Sequence, residues 1–311
     1  RSTMAHEFMH ILTPLNLSSE VIHTYNFEVP TASEHIWLYE GVTEWVSDIM
    51  QLRSGITTPE QYLTQFSEKI NISDQYNPNI SLSEMSLGVY TDSIKPQFIN
   101  FYNRGAVTAA LLDIRLLELS NGTRGLRELY LELLEKYGKD NPFPEDTFFD
   151  IIVEMTYPEI EDFINDYIRG TKPLPYIEQM TKIGYTYTDE KISDDKRPTF
   201  GANIYGNSDG ELILIGVSEE AGEFGIMEED VLIKVFGEDV SMQNSRKIAQ
   251  RSHEMKVGDP YEMVVRRKEK EIVINGRMVE RKVKHLFEEV ENPTEEQLRF
   301  RKIWLKNLDR D

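Results

Sequence analysis

At 311 residues and 40% hydrophobic content, the chain is long enough for two domains with buried cores and too apolar to be a disordered segment. A formal charge of −20 argues against nucleic-acid binding, which needs clustered Lys and Arg, and suits a protein that repels anionic surfaces. With no cysteine, disulfides and thiolate metal sites are excluded, so any metal must be held by His, Asp or Glu; no apolar run is long enough to span a bilayer.

The opening stretch TMAHEFMHIL has helical spacing and ends near Pro14, which cannot continue a helix interior. Four residues turn a helix by about 400°, so His6 and His10 project from nearly the same face, one turn apart. Two imidazoles there can grip one Zn²⁺, while Glu7 points toward a water rather than the metal. Two histidines alone make a poor zinc site, and a surface helix that carries them by chance is the other reading.

The next helix, SEHIWLYEGVTEWVSDIMQLRSG, takes Ser33 as N-cap and Gly55 as the residue past its end. Its Glu40 lies among apolar and aromatic residues, where a carboxylate is costly unless paired or bound to metal. Glu40 is therefore a candidate third ligand, since catalytic zinc sites use three protein ligands and keep one position open. An ordinary helix-surface glutamate is the alternative. Glu44, one turn later, either accepts a hydrogen bond from the free ring nitrogen of a ligand histidine or belongs to a solvated face.

TPEQYLTQFSEKI opens on a Thr-Pro pair typical of helix starts, and FYNRGAVTAALLDIRLLELSNG is long and amphipathic. Thr123 is placed to cap RGLRELYLELLEKYG, and shorter helices around EDTFFDIIVEM and YPEIEDFINDYIRG complete a helical half over residues 1–185. Short strand-like segments then follow, FGANIY, ELILIGV, DVLIKVFG, YEMVVRR and KEIVING, with one helix, SMQNSRKIAQRSHEM, among them. They predict a small α+β domain over residues 186–288. NPTEEQLRFRKIWLKNL predicts a closing helix within 289–311, with Asn292 before Pro293 as its start signal. The remaining histidines, His23, His35, His253 and His285, have no ligand spacing.

HEFMH followed by WLYEGVTEW resembles the gluzincin metallopeptidases, in which HExxH precedes an E-G-containing helix. FYNRGAVTAALLDIRL resembles the Y-x-K/R-G segment of the same clan, with Arg104 where relatives carry Lys. A helical half ending in DFINDYIRGTKPLP and followed by a PDZ-like module is similar to the glycyl aminopeptidase family with a C-terminal PDZ domain. The resemblance implies a multidomain protein: a thermolysin-like α-helical catalytic half, a PDZ-like domain and a C-terminal helix. It implies one Zn²⁺ on His6, His10 and Glu40, Glu7 as general base, and Tyr102 as donor to the oxyanion; without it Tyr102 reads as a core aromatic. The activity implied is hydrolysis of a peptide or protein substrate, as an aminopeptidase. An endopeptidase with the same centre, and a non-enzymatic peptide-binding scaffold, are the other functional readings. Family likeness implies a periplasmic or secreted home, with the cytoplasm as the alternative.

RPTFGANIYG resembles the carboxylate-binding loop of PDZ domains, with Phe200, Gly201 and Ala202 at the turn, and implies a C-terminal peptide as ligand. The likeness departs at Glu229, where a Gly normally precedes the Asp, and at Gly222, which interrupts a pair of small residues. A degenerate module without a ligand is the alternative. The family also carries a β-rich segment ahead of the zinc helix, forming the opposite wall of the cleft. Only five residues precede His6, so that wall, with its recognition of a free amino terminus, is expected to be absent from this chain.

Overall fold

Apolar residues at helical spacing fill the first half of the chain, and in the structure, a computed structural model that describes residues 2–207 and 210–306, they form helices. The first of two units comprises Arg1–Asp189 and His285–Asp311. It opens with α1 (Ser2–Met9) and α2 (Glu20–His23), then a π-helical stretch, Trp37–Val42, that runs directly into α3 (Thr43–Arg53). There follow α4 (Pro59–Ser73), α5 (Leu82–Leu87), α6 (Asn100–Leu119), α7 (Leu126–Lys136), α8 (Phe148–Met155), α9 (Glu159–Tyr167) and α10 (Tyr176–Lys182). Capping chemistry sets several starts. Thr58 and Gln61 cap α4 reciprocally, with Pro59 in the first turn, and Ser81 caps α5.

Helix α6 is the axis of this unit and is buried along nearly its whole length. It crosses the π-helical stretch where Gly41 meets Gly105. A Cβ on Gly41 would stand 2.7 Å from the Gly105 Cα, and one on Gly105 would stand 2.9 Å from the Gly41 Cα. Only glycine on both sides allows the two backbones this approach.

Thr123 does not cap α7. Its hydroxyl donates to the Ser120 carbonyl instead, and the helix starts at Leu126. Asp113 of α6 accepts from the Leu126 N–H at 2.7 Å, and Glu128 accepts from the Gly125 N–H at 2.8 Å. Asp113 also pairs with Arg53 at 3.0 Å. A buried acceptor from another helix thus outcompetes the local threonine.

The second unit is Glu190–Lys284. Its strands and helices are β2 (Asn203–Gly206), β3 (Leu212–Ile215), α11 (Glu219–Glu223), β4 (Val231–Val235), β5 (Glu238–Asp239), α12 (Ser245–Glu254), β6 (Pro260–Arg267) and β7 (Lys270–Arg277). They build an antiparallel sheet in the order β2-β3-β4-β6-β7, with β5 on β4. Register is fixed by pairs such as Tyr205 with Ile213 and Met263 with Ile274, and a bulge lies between Leu232 and Lys234. Its own core includes Leu214, Val235, Met263 and Val265.

Two strands absent from the sequence-based expectation, β1 (Tyr185–Ile192) and β8 (Lys282–Glu289), pair where the chain leaves the first unit and returns to it. The closing helix, α13 (Glu295–Lys306), is not a separate third piece: it belongs to the first unit. Trp304 is 1% exposed, its ring 5.4 Å from that of Tyr62, and its carbonyl accepts from Arg53 at 3.1 Å. The start of α13 lies past Asn292, at Thr294, whose side chain and that of Gln297 cap one another's backbones. No helix among the described residues is long and apolar enough to cross a membrane.

Candidate metal centre

His6 lies on α1, and His10 follows in the turn after its end. The turn is held from both sides. Thr13 offers its carbonyl to His10 Nδ1 at 2.8 Å, and its hydroxyl bonds Thr43 at 2.9 Å and Tyr130 at 2.7 Å. The two imidazoles stand edge to face, with centroids 4.7 Å apart. Glu40 enters from the π-helical stretch, a distortion that frequently accompanies functional sites. Its Oε2 is 3.3 Å from His6 Nε2 and 3.7 Å from His10 Nε2.

Among the described residues, one group of three or more His, Cys, Asp or Glu has ligand atoms all within 4.8 Å of one another: His6, His10 and Glu40. These residues fit a zinc ion. A tetrahedral ion with bonds of about 2.0–2.1 Å spaces its ligand atoms roughly 3.3–3.4 Å apart, close to the two carboxylate–imidazole separations of 3.3 and 3.7 Å. Glu40 Oε2 is buried and makes no well-formed hydrogen bond; the His6 ring, 3.3 Å away, is its ion-pair partner in the metal-free protein. A buried carboxylate oxygen needs a cation beside it, which the His6 imidazolium supplies in the metal-free protein and a metal ion would supply in its place. Both Nδ1 atoms are occupied by acceptors, His6 by Glu44 Oε2 at 2.8 Å and His10 by the Thr13 carbonyl, which turns both Nε2 atoms inward.

The charges around His6 are unusual. Burial would lower its pKa, but Glu40 and Glu44 together raise it to about 9. The ring is therefore an imidazolium in the metal-free protein at neutral pH, and a metal must displace its proton. Glu44 is half-buried, which would raise its pKa, yet His6 and Lys69 hold its carboxyl below the usual range. Lys69 and Asp48, which the sequence reading missed, extend this network inward: Lys69 pairs with Glu44 and lies 3.2 Å from Asp48. Their signal was legible, for each charge interrupts an apolar helix stripe, Tyr62–Phe66–Lys69 on α4 and Trp45–Asp48–Leu52 on α3.

Tyr102 stands on α6, one turn before Gly105, with its ring 5.2 Å from that of His6. Burial first, then the Glu40 carboxylate, push its hydroxyl well above the ordinary tyrosine range, with smaller contributions from Glu7 and Glu44. It therefore remains a donor at any physiological pH. Glu7 is exposed on α1, next in sequence to His6. Arg104 points away and donates to the Ile80 carbonyl at 2.8 Å.

In the second unit, Phe200 and Ala202 are buried and Gly201 has a φ of +79°. A Cβ on Gly201 would stand 2.6 Å from Ser218 Oγ and 2.7 Å from the Ala221 Cβ, so only glycine fits. Its N–H is used by Thr199 Oγ1 at 3.3 Å, and its carbonyl accepts from Ser218 at 2.7 Å.

Residues 1–108 match the profile of the family described as M61 glycyl aminopeptidase. Among solved structures, the chain is similar to an aminopeptidase N family protein from Idiomarina loihiensis, at 22% identity and a TM-score of 0.71. That match covers 98% of this chain and 54% of the other, so the chain spans about half the length of that protein. None of the curated proteins matches the chain by sequence. Both descriptions are of peptidases.

Proposed function

We propose that the chain carries the zinc centre of a peptidase, with His6, His10 and Glu40 as ligands. The observation that carries this reading is the convergence of Glu40 Oε2 and the two imidazole rings, with ligand atoms all within 4.8 Å of one another. Zinc bound there supplies a Lewis acid that polarises a carbonyl and acidifies water. The chain's own residues supply the rest. Glu7 takes a proton from the attacking water and passes it to the leaving amine. Tyr102 donates to the substrate oxygen as negative charge develops on it, and its raised pKa keeps that proton in place. Glu44 and the Thr13 carbonyl hold the two rings in orientation. Purified protein is expected to carry close to one zinc, and His10→Ala to lose it; full zinc retention in that variant would remove the assignment.

Action at a free amino terminus rests on the descriptions of the similar proteins. Comparing free with N-acetylated peptides tests it: cleavage of both alike would indicate an endopeptidase. For the second unit we propose a PDZ-like groove beside β2, which ends the sheet order. The Gly201 N–H is already engaged, so binding of C-terminal carboxylates there is expected to be weak. Equal binding of acid and amidated peptides would exclude that role for Phe200, Gly201 and Ala202.

A further inference from the structure

Lys69 is a half-buried cation that the mechanism above does not use. Its side chain is 16% exposed, wedged between Glu44 and Asp48, which are 12% and 7% exposed. Burial opposes its charge, but Asp48 and Glu44 more than offset that and raise its pKa, so it is fully protonated. Beside it lies a cavity of about 10 Å³, bounded by Trp45, Tyr62, Phe66 and Ala106, which offers room for little more than one water.

The geometry is ordered from the metal site inward. His6 Nδ1 donates to Glu44 Oε2, Lys69 donates to Glu44 Oε1, and Asp48 Oδ2 holds the other side of Lys69. Each Glu44 oxygen thus has one fixed partner. Without Lys69, Oε1 would be a buried acceptor with no donor, and the carboxylate would be free to turn or to take up a proton. Either change releases His6 from the tautomer that presents Nε2 to the metal.

We propose that Lys69, held by Asp48, is a positioning residue for the metal site: it fixes the Glu44 carboxylate that in turn fixes His6. The inference rests on the zinc reading above. It makes Lys69 act only through Glu44, and that sets its test.

The test is a double-mutant cycle on the full chain, read as zinc affinity by competition with a chromophoric chelator. Lys69→Met, which keeps the aliphatic stem, is expected to weaken zinc binding roughly tenfold, the low end for outer-shell partners. Glu44→Gln should weaken it at least as much, and adding Lys69→Met to that background should change little. Losses that multiply, or unchanged affinity in Lys69→Met, would overturn the inference. Asp48→Asn is the second variant should Lys69→Met not fold; its loss should likewise vanish in the Glu44→Gln background. A ¹⁵N NMR measurement of His6 in the metal-free protein, above its pKa, gives an independent readout. Wild type should show the Nδ1–H tautomer and the Lys69 variant a mixture; an unaltered tautomer would overturn the inference. Wild-type protein that takes up no zinc would instead defeat the metal reading, and the NMR readout would still decide the role of Lys69.

Discussion

Gly41→Ala tests whether the contact between the π-helical stretch and α6 sets the geometry of the metal site. The new Cβ would lie 2.7 Å from the Gly105 Cα, 2.8 Å from its carbonyl carbon and 3.0 Å from the Phe101 carbonyl oxygen. All three are backbone atoms, so no side-chain rotation relieves the clash. Ordinary contact begins at 3.4 Å, so the two segments must part by at least 3.4 − 2.7 = 0.7 Å. Glu40 is the adjacent residue on one segment, and Tyr102 lies one turn away on the other. Ligand distances in a metal site tolerate only about ±0.2 Å. Overpacking of this kind costs about 1–3 kcal/mol of stability, and a shift near 1 Å at reacting groups costs roughly 10²-fold in turnover. Zinc titration and thermal unfolding, with Gly222→Ala as control, measure both effects. A Cβ on Gly222 meets nothing within 4 Å, so that variant should be neutral or slightly stabilised. A Gly41→Ala protein with wild-type zinc affinity and turnover would refute the argument.

Glu7→Gln should keep zinc and lower peptide hydrolysis by roughly 10²–10⁴-fold, because the amide cannot accept the proton; single-turnover assays with quantified zinc check it. Tyr102→Phe should lower kcat by roughly 10²–10³-fold with little change in KM, since its hydrogen bond strengthens only as the oxyanion forms. Zinc affinity should rise with pH by about tenfold per unit until it levels near the His6 pKa of about 9, as each binding event releases that proton. The same shift has the opposite sign for the metal-free protein. Its His6 pKa is raised from 6.5 to about 9, so the stability gained from the imidazolium is full below about 6.5 and is lost as pH rises through 9. Chelated protein titrated by thermal unfolding measures it.

The i, i+4 histidines and the carboxylate in an apolar stripe were legible because helical periodicity is local, and the structure brings His6, His10 and Glu40 together. His10 itself lies beyond the end of α1, yet the turn held by Thr13 keeps it near His6. What the sequence withheld depends on partners far along the chain. Gly41 and Gly105 each stand in a quoted motif, but the need for glycine appears only when the two backbones meet. Thr123 is a sound local cap that loses to Asp113, and β1 finds its partner in β8. Lys69 was readable in principle, since an ammonium in line with Tyr62 and Phe66 on α4 needs a buried acceptor.

The central claim is that His6, His10 and Glu40 hold one zinc ion. An anomalous difference map recorded at the zinc edge from crystals grown with zinc tests it most directly. The expected result is a single strong peak among the three side chains, with Zn–N near 2.0–2.1 Å to both histidine Nε2 atoms and a Glu40 oxygen at about 2.0–2.2 Å. A peak elsewhere, or none between these residues at saturating zinc, would contradict it.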